Sequence, residues 1–187
     1  MCGKDAGSPF TFTGVASFGT GVWTQTSGSG LSAFSNSASA VSSVTVDTYG
    51  SYVFRWTETN GTGCTDFDEV TVVFNEPTVA QAGPATAEEC DLNIQLLGVQ
   101  SISGSTASWS VVLGTATDIT FSNSNIFNPT ASSIAYGSYT LRLTETNGSC
   151  VTTDDIVVTF RAQPVADAGT GGSVCGKDAG SPFTFTG

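Results

Sequence analysis

Five cysteines and one run of carboxylates are the residues in this sequence equipped for chemistry. They are Cys2, Cys64, Cys90, Cys150 and Cys175, and the group Asp66, Asp68 and Glu69. A catalytic thiol needs a base, and the chain has no histidine, so a Cys–His nucleophile is excluded. With no imidazole and no Cys-x-x-Cys pair, zinc chemistry lacks its usual donors. What remains for the sulfur atoms is disulfide formation. Carboxylates alone can run glycosidase-type acid–base catalysis or hold calcium. In a strand Asp66 and Asp68 share a face, so they and Glu69 are candidate calcium ligands, matched further on by Asp154 and Asp155. No Asp-x-Asp-x-Asp-Gly loop accompanies them, and solvated charge is the preferred reading. No catalytic residue, metal site or cofactor is assigned, and the chain reads as a non-enzyme.

The cysteines fall on an internal repeat. Residues 2–14 read CGKDAGSPFTFTG, and residues 175–187 read the same thirteen residues again. A weaker repeat lies at half that spacing. Tyr49-Gly50-Ser51-Tyr52 recurs as Tyr136-Gly137-Ser138-Tyr139, and Thr57-Glu58-Thr59-Asn60-Gly61 as Thr144-Glu145-Thr146-Asn147-Gly148. Val79-Ala80-Gln81-Ala82-Gly83 recurs as Val165-Ala166-Asp167-Ala168-Gly169, Trp23 as Trp109, and Phe74 as Phe160. The unit is therefore about 86 residues, two unlike units making a super-repeat, and its length suits an Ig-sized sandwich. Cys2, Cys90 and Cys175 hold one position of the unit and Cys64 and Cys150 another. The natural pairs are then Cys2–Cys64 and Cys90–Cys150, each closing a loop of about 60 residues that contributes roughly 4 kcal/mol in the chain-entropy model. Cys175 is left unpaired, its partner expected in a further unit.

Strands must position these residues. Tyr52, Phe54 and Trp56 alternate with Val53, Arg55 and Thr57, and Tyr139, Leu141 and Leu143 alternate with Thr140, Arg142 and Thr144. Period two with one apolar face marks a half-buried strand. Asn60-Gly61 and Asn147-Gly148 mark tight turns; both also fit a glycosylation sequon, which comes second to the turn reading. Return strands follow with Val70, Val72 and Phe74, and with Ile156, Val158 and Phe160. No convincing 3.6-residue apolar period is present, so almost no helix is expected. Arg55 and Arg142 are expected on the polar face near Glu58 or Glu145, as exposed pairs contributing about 0–1 kcal/mol.

Composition agrees. Only 11% of the 187 residues are charged, and the net charge is −11. Such acidity offers no cationic surface for nucleic acid or for an anionic membrane, and no apolar run approaches the roughly 20 residues of a membrane span. Ser, Thr and the 22 Gly fill the chain, as in short strands joined by many turns. Disulfides imply an oxidising compartment, so the chain is read as part of a longer exported protein. An isopeptide crosslink would need a buried lysine, and Lys4 and Lys177 are one position of the super-repeat.

The order of motifs is Pro-Val-Ala-x-Ala-Gly, Cys-Gly, Trp-x-x-x-x-Gly, Tyr-Gly-Ser-Tyr, Thr-Glu-Thr-Asn-Gly and a second Cys. It resembles the PKD-like, Ig-like tandem repeats of giant surface proteins of Bacteroidetes, including gliding-motility adhesins, over essentially the whole chain. The resemblance implies an all-β fold of tandem Ig-like (PKD-like) β-sandwich modules, type IX export, and an extracellular, cell-surface location on adhesive tips or filaments. One departure is the absence of the Trp-x-x-Gly-Asp-Gly stretch of ordinary PKD domains. If a unit opens at Pro-x-Val-Ala, residues 1–76 are a module lacking its first strand, 77–162 a complete module, and 163–187 the first strands of a third. The expected role is a stalk or spacer. The alternatives are a carbohydrate-binding module, with Trp23, Trp56 and Trp109 as its aromatic candidates, and a subunit that polymerises head-to-tail by strand exchange. Expected partners are thus neighbouring modules of the same protein and a surface polysaccharide, without nucleic acid or membrane insertion. In the strand-exchange reading, residues 163–187 pack on the first module of a neighbouring copy, and Cys175 takes the place of Cys2 opposite Cys64.

Overall fold

Alternation along the long strands builds two apolar cores, one per repeat unit. The structure is a computed structural model, and it describes residues 1–5, 7–169 and 171. In the first unit the strands are β1 (Phe10–Thr11), β2 (Thr20–Gly28), β3 (Ser32–Phe34), β4 (Ser43–Val46), β5 (Gly50–Asn60) and β6 (Cys64–Phe74). In the second they are β7 (Thr86–Glu89), β8 (Asn93–Gln95), β9 (Thr106–Leu113), β10 (Ile119–Phe121), β11 (Thr130–Ser133), β12 (Gly137–Asn147) and β13 (Cys150–Phe160). A three-residue 3₁₀ turn, Ala116–Asp118, is the helical element among the described residues. The all-β expectation holds.

Each unit is a sandwich of two sheets. The first stacks β1-β4-β3 against β2-β5-β6, and the second stacks β10-β11-β8 against β7-β13-β12-β9. The inner face of the first is aromatic: Phe12, Trp23, Tyr52, Phe54, Trp56 and Phe74 pack with Val44, Val46 and Val72. Phe12 stacks on Trp23 with ring centroids 4.0 Å apart. The second core trades most of these rings for Leu96, Leu141, Leu143, Ile156 and Val158 around Trp109, Tyr139 and Phe160. Each large side chain fully withdrawn from water contributes about 1.5–3 kcal/mol, so both units hold a core of their own. Trp23, Trp56 and Trp109 are core residues, each less than 10% exposed.

The two arginines pair with carboxylates on the neighbouring strand and not with the expected glutamates on their own. Arg55 faces Glu69 across the β5–β6 ladder, and Arg142 faces Asp155 across β12–β13. The resulting ion pairs measure 2.8 Å and 2.7 Å. The correction is one of register: a cross-strand neighbour lies nearer than a residue three places along the same strand, which points to the opposite face.

The ends of β6 and β13 also overturn the expected cysteine pairs. Cys64 opens β6, whereas Cys2 bridges Asn75 just past its other end. Cys150 opens β13, whereas Cys90 directly follows Glu89, whose carbonyl accepts from Arg161 N just past β13. The partners expected within each module are thus an eleven-residue strand apart, roughly 35 Å at about 3.3 Å per residue, and a disulfide closes only at Cα distances below about 7 Å. The bond that forms joins Cys2 to Cys150, across the two units. Among the described residues Cys64 and Cys90 are unbonded and exposed. Cys175, and the strands expected from residue 172 onward, lie outside the described residues. Residues 163–169 carry no strand and are exposed, so packing of this segment on a module is not part of the structure.

Candidate functional site

The place where sequence-distant groups converge is the junction between the two sandwiches. Parallel pairing of the N-terminal residues with the end of β6 brings Cys2 there: Asn75 N donates to Met1 O at 2.8 Å, and Gly3 N donates to Asn75 O at 3.0 Å. The β12–β13 hairpin brings Cys150 there from the second unit, in the register Asn147↔Cys150. The two Cα atoms are 4.9 Å apart. Around the disulfide, Asn75 Nδ2 donates to Ser149 Oγ at 3.2 Å, and Asn147 Nδ2 donates to Glu76 O at 2.9 Å. Gly148 turns the hairpin at φ +57°, and a Cβ there would stand 2.5 Å from the Asn75 amide. In the second unit the Asn-Gly is therefore a turn whose glycine, Gly148, also clears the neighbouring unit.

A second arrangement recurs in both units and was not singled out in the sequence. Glu145 is fully buried. Its carboxylate accepts from Ser101 N and Ser101 Oγ, both at 2.9 Å, and from Ser105 Oγ at 2.5 Å. Burial pushes its pKa up, but the hydrogen bonds from Ser105 and Ser101 outweigh that and hold it below the ordinary glutamate value. Its counterpart Glu58 accepts from Ser17 Oγ at 2.5 Å, Ser17 N at 3.0 Å and Trp56 Nε1 at 2.9 Å. Those bonds, the Ser17 hydroxyl first, hold Glu58 down to about 2. In each unit this glutamate ties the loop that leads into the following strand, β2 or β9. The signal was the glutamate at one place in two identical Thr-Glu-Thr-Asn-Gly segments, one residue type that a solvated strand position does not require.

The candidate calcium ligands separate. Asp66 and Asp68 lie on the core-side face of β6, opposite Glu58 and Trp56, while Glu69 lies on the other face with Arg55. Among the described residues no group of three potential ligands is close enough to hold a metal ion. The second unit shows what the equivalent positions do. Asp154, the counterpart of Asp68, accepts from Ala82 N at 2.8 Å, and Thr152, the counterpart of Asp66, accepts from Ala80 N at 2.9 Å. Thr78 Oγ1 lies 2.9 Å from Thr152 Oγ1, and Ala82 is fully buried. The segment Thr78–Gly83 thus lies along β13 and leads into β7, which pairs in parallel with it. On β6 the matching stretch, Cys64 to Glu69, is exposed. Open hollows lined by Val15, Trp56, Glu58, Asp66, Phe67 and Asp68 run along it.

No family model matches the chain, and no curated protein matches it. Solved structures share the fold. The extracellular domains 3–5 of Drosophila OTK superpose with a TM-score of 0.50 at 10% identity, over 85% of this chain and 54% of that one. Murine CEACAM1b gives 0.44 at 14% identity, over 76% of this chain and 86% of that one. The titin I-band fragment I67-I69 gives 0.38 at 13% identity, over 77% and 54%. The OTK likeness, at 10% identity, is one of fold, and with the two-sheet units described above it makes the chain one of Ig-like β-sandwich modules.

Proposed function

We propose that this chain is a segment of an exported, extracellular array of Ig-like modules that serves as a stalk or spacer at the cell surface. The observation that carries the reading is the disulfide between Cys2 and Cys150. It joins two modules rather than closing one, which is the need of a protein whose module order and spacing must persist outside the cell. The chain offers no enzyme function in this reading, and its partners are neighbouring modules. An aromatic carbohydrate platform loses its candidates, because the three tryptophans fill the cores. Small-angle scattering tests the spacer. The oxidised chain should give a distance distribution of two modules held at fixed separation, broadening on reduction. Tight binding of the oxidised chain to a surface polysaccharide on a glycan panel would replace the spacer by an adhesive module.

A second reading, head-to-tail association by strand exchange, is favoured by the exposed flank of β6. Asp68 there has the position that in the second module accepts from Ala82. A peptide of residues 163–174, which contains the repeat-equivalent Ala168, should bind this flank, and Asp68→Ala should weaken it. A peptide that binds Asp68→Ala chains equally well removes the reading.

A further inference from the structure

Cys64 and Cys90 are exposed thiols, yet each has the local setting of one half of the disulfide already formed. Cys64 opens β6 after an Asn-Gly turn, paired with Asn60, as Cys150 opens β13 paired with Asn147. Cys90 follows Glu89, whose carbonyl accepts from Arg161 N at 2.8 Å; Cys2 follows Met1, whose carbonyl accepts from Asn75 N at 2.8 Å. In the formed staple, the cysteine at the exit end of one module bonds the hairpin cysteine of the module that follows. Carried along the 173-residue super-repeat, which spans Cys2 to Cys175, this rule leaves one pairing for the other two. We propose that Cys90 of one two-module unit forms a disulfide with Cys64 of the next, so that the array is stapled at every junction.

The two junctions differ in a compensating way. Asn75 stands at the formed junction, close against Gly148. Arg161 stands at the equivalent place beside Cys90, with its guanidinium on Glu88 at 2.7 Å. The hairpin it would meet, Asn60-Gly61-Thr62-Gly63-Cys64, is one residue longer than Asn147-Gly148-Ser149-Cys150. A Cβ at Gly61 or Gly63 would touch nothing within 4 Å. The two positions that differ, the longer hairpin and the larger side chain, would meet each other at the second junction.

The bond forms by exchange with a small-molecule disulfide such as oxidised glutathione. The Cys64 thiolate attacks it, breaking its S–S bond and releasing one thiol. The Cys90 thiolate then attacks the Cys64 sulfur of the mixed disulfide, forming the protein S–S bond and releasing the second thiol. The small disulfide takes both electrons, and the two protein protons end on the released thiols.

The inference rests on the array reading, and the test separates the two. Full-length chains carrying Cys175→Ser are prepared with Cys64→Ser or with Cys90→Ser, and incubated singly and mixed in a glutathione redox buffer. The mixture should give a dimer linked Cys90 to Cys64, at least tenfold more abundant than the homodimer of either chain alone. Homodimers as abundant as the mixed dimer would mean indiscriminate thiol oxidation and overturn the proposal. A longer chain, residues 1–174 followed by 2–187, covers the case of weak association between separate copies. Its non-reduced digest should contain Cys90 of the first copy joined to Cys64 of the second. If both thiols are still alkylated in that oxidised chain while Cys2–Cys150 is intact, the alternate staple does not exist and the array reading stands without it.

Discussion

The backbone N–H of Ala82 donates to Asp154 Oδ2 at 2.8 Å, and Ala82 is wholly buried beneath that bond. Asp68, at the same place on β6, accepts instead from the N–H of Glu69, its own neighbour, at 2.9 Å. An aspartate inside an otherwise apolar strand face is thus explained by the segment it receives.

Replacing Asp154 by Ala should leave the Ala82 N–H unpaired and cost the second module about 1–3 kcal/mol. Replacing Asp68 by Ala should change the stability of this chain by no more than about 0.5 kcal/mol. Urea titration of the two variants checks the contrast, and equal losses would contradict it.

Glu145→Ala removes an acceptor from Ser101 and Ser105 in a buried site. The expected loss is about 1–3 kcal/mol, with faster amide exchange in the loop of Ser101 to Ser105. Unchanged exchange there would show that the glutamate does not hold the loop.

Acid should loosen the same loops. Glu58 is held down to about 2 from an ordinary 4.5 by bonds from Ser17 and Trp56, and Glu145 is also lowered. A carboxylate with a depressed folded-state pKa contributes stability above its unfolded value and loses it as pH falls through the folded one. The melting temperature should therefore drop between about pH 4.5 and pH 2, and Glu58→Gln should flatten that drop. An unaltered profile in the variant would exclude Glu58 as a source.

Reduction should uncouple the modules without dissolving either core. In the chain-entropy model, opening a loop of more than 100 residues costs on the order of 4–5 kcal/mol. Calorimetry should show one coupled transition for the oxidised chain and two separate ones for Cys2→Ser. Collapse of both modules on reduction would mean that the cores do not stand alone. Chelation of divalent ions should shift either profile by no more than a few degrees, because Glu69 is already taken by Arg55.

The sandwich was legible because its signals are local. Period-two alternation places Tyr52, Phe54, Leu141 and Leu143 inside, and Asn-Gly places the hairpins. The cysteine pairing was not legible, because it depends on direction. The repeat reveals that Cys2 and Cys90 are equivalent, but only the parallel pairing of the N-terminal residues with β6 puts Cys2 at the far end of the strand that Cys64 opens. Alternation rightly put Asp66 and Asp68 on one face of β6, but the use of that face was hidden, because the segment that Asp154 receives at the equivalent place is distant in sequence. Glu58 and Glu145 read as surface charge because a loop partner leaves no periodic trace.

Pull on this molecule between Met1 and Arg161 and the Cys2–Cys150 disulfide decides what can stretch. The shortest covalent route runs from Met1 to Cys2, across the sulfur atoms to Cys150, and along β13 to Arg161. Residues 3–149 lie outside that route. Unravelled, they would add roughly 500 Å at about 3.4 Å per residue, yet no tension reaches them while the sulfur bridge is intact. Strand β13 is already extended, so the route from Met1 to Arg161 behaves as a tether of fixed length. Breaking one S–S bond turns the same chain into one that can lengthen many times over.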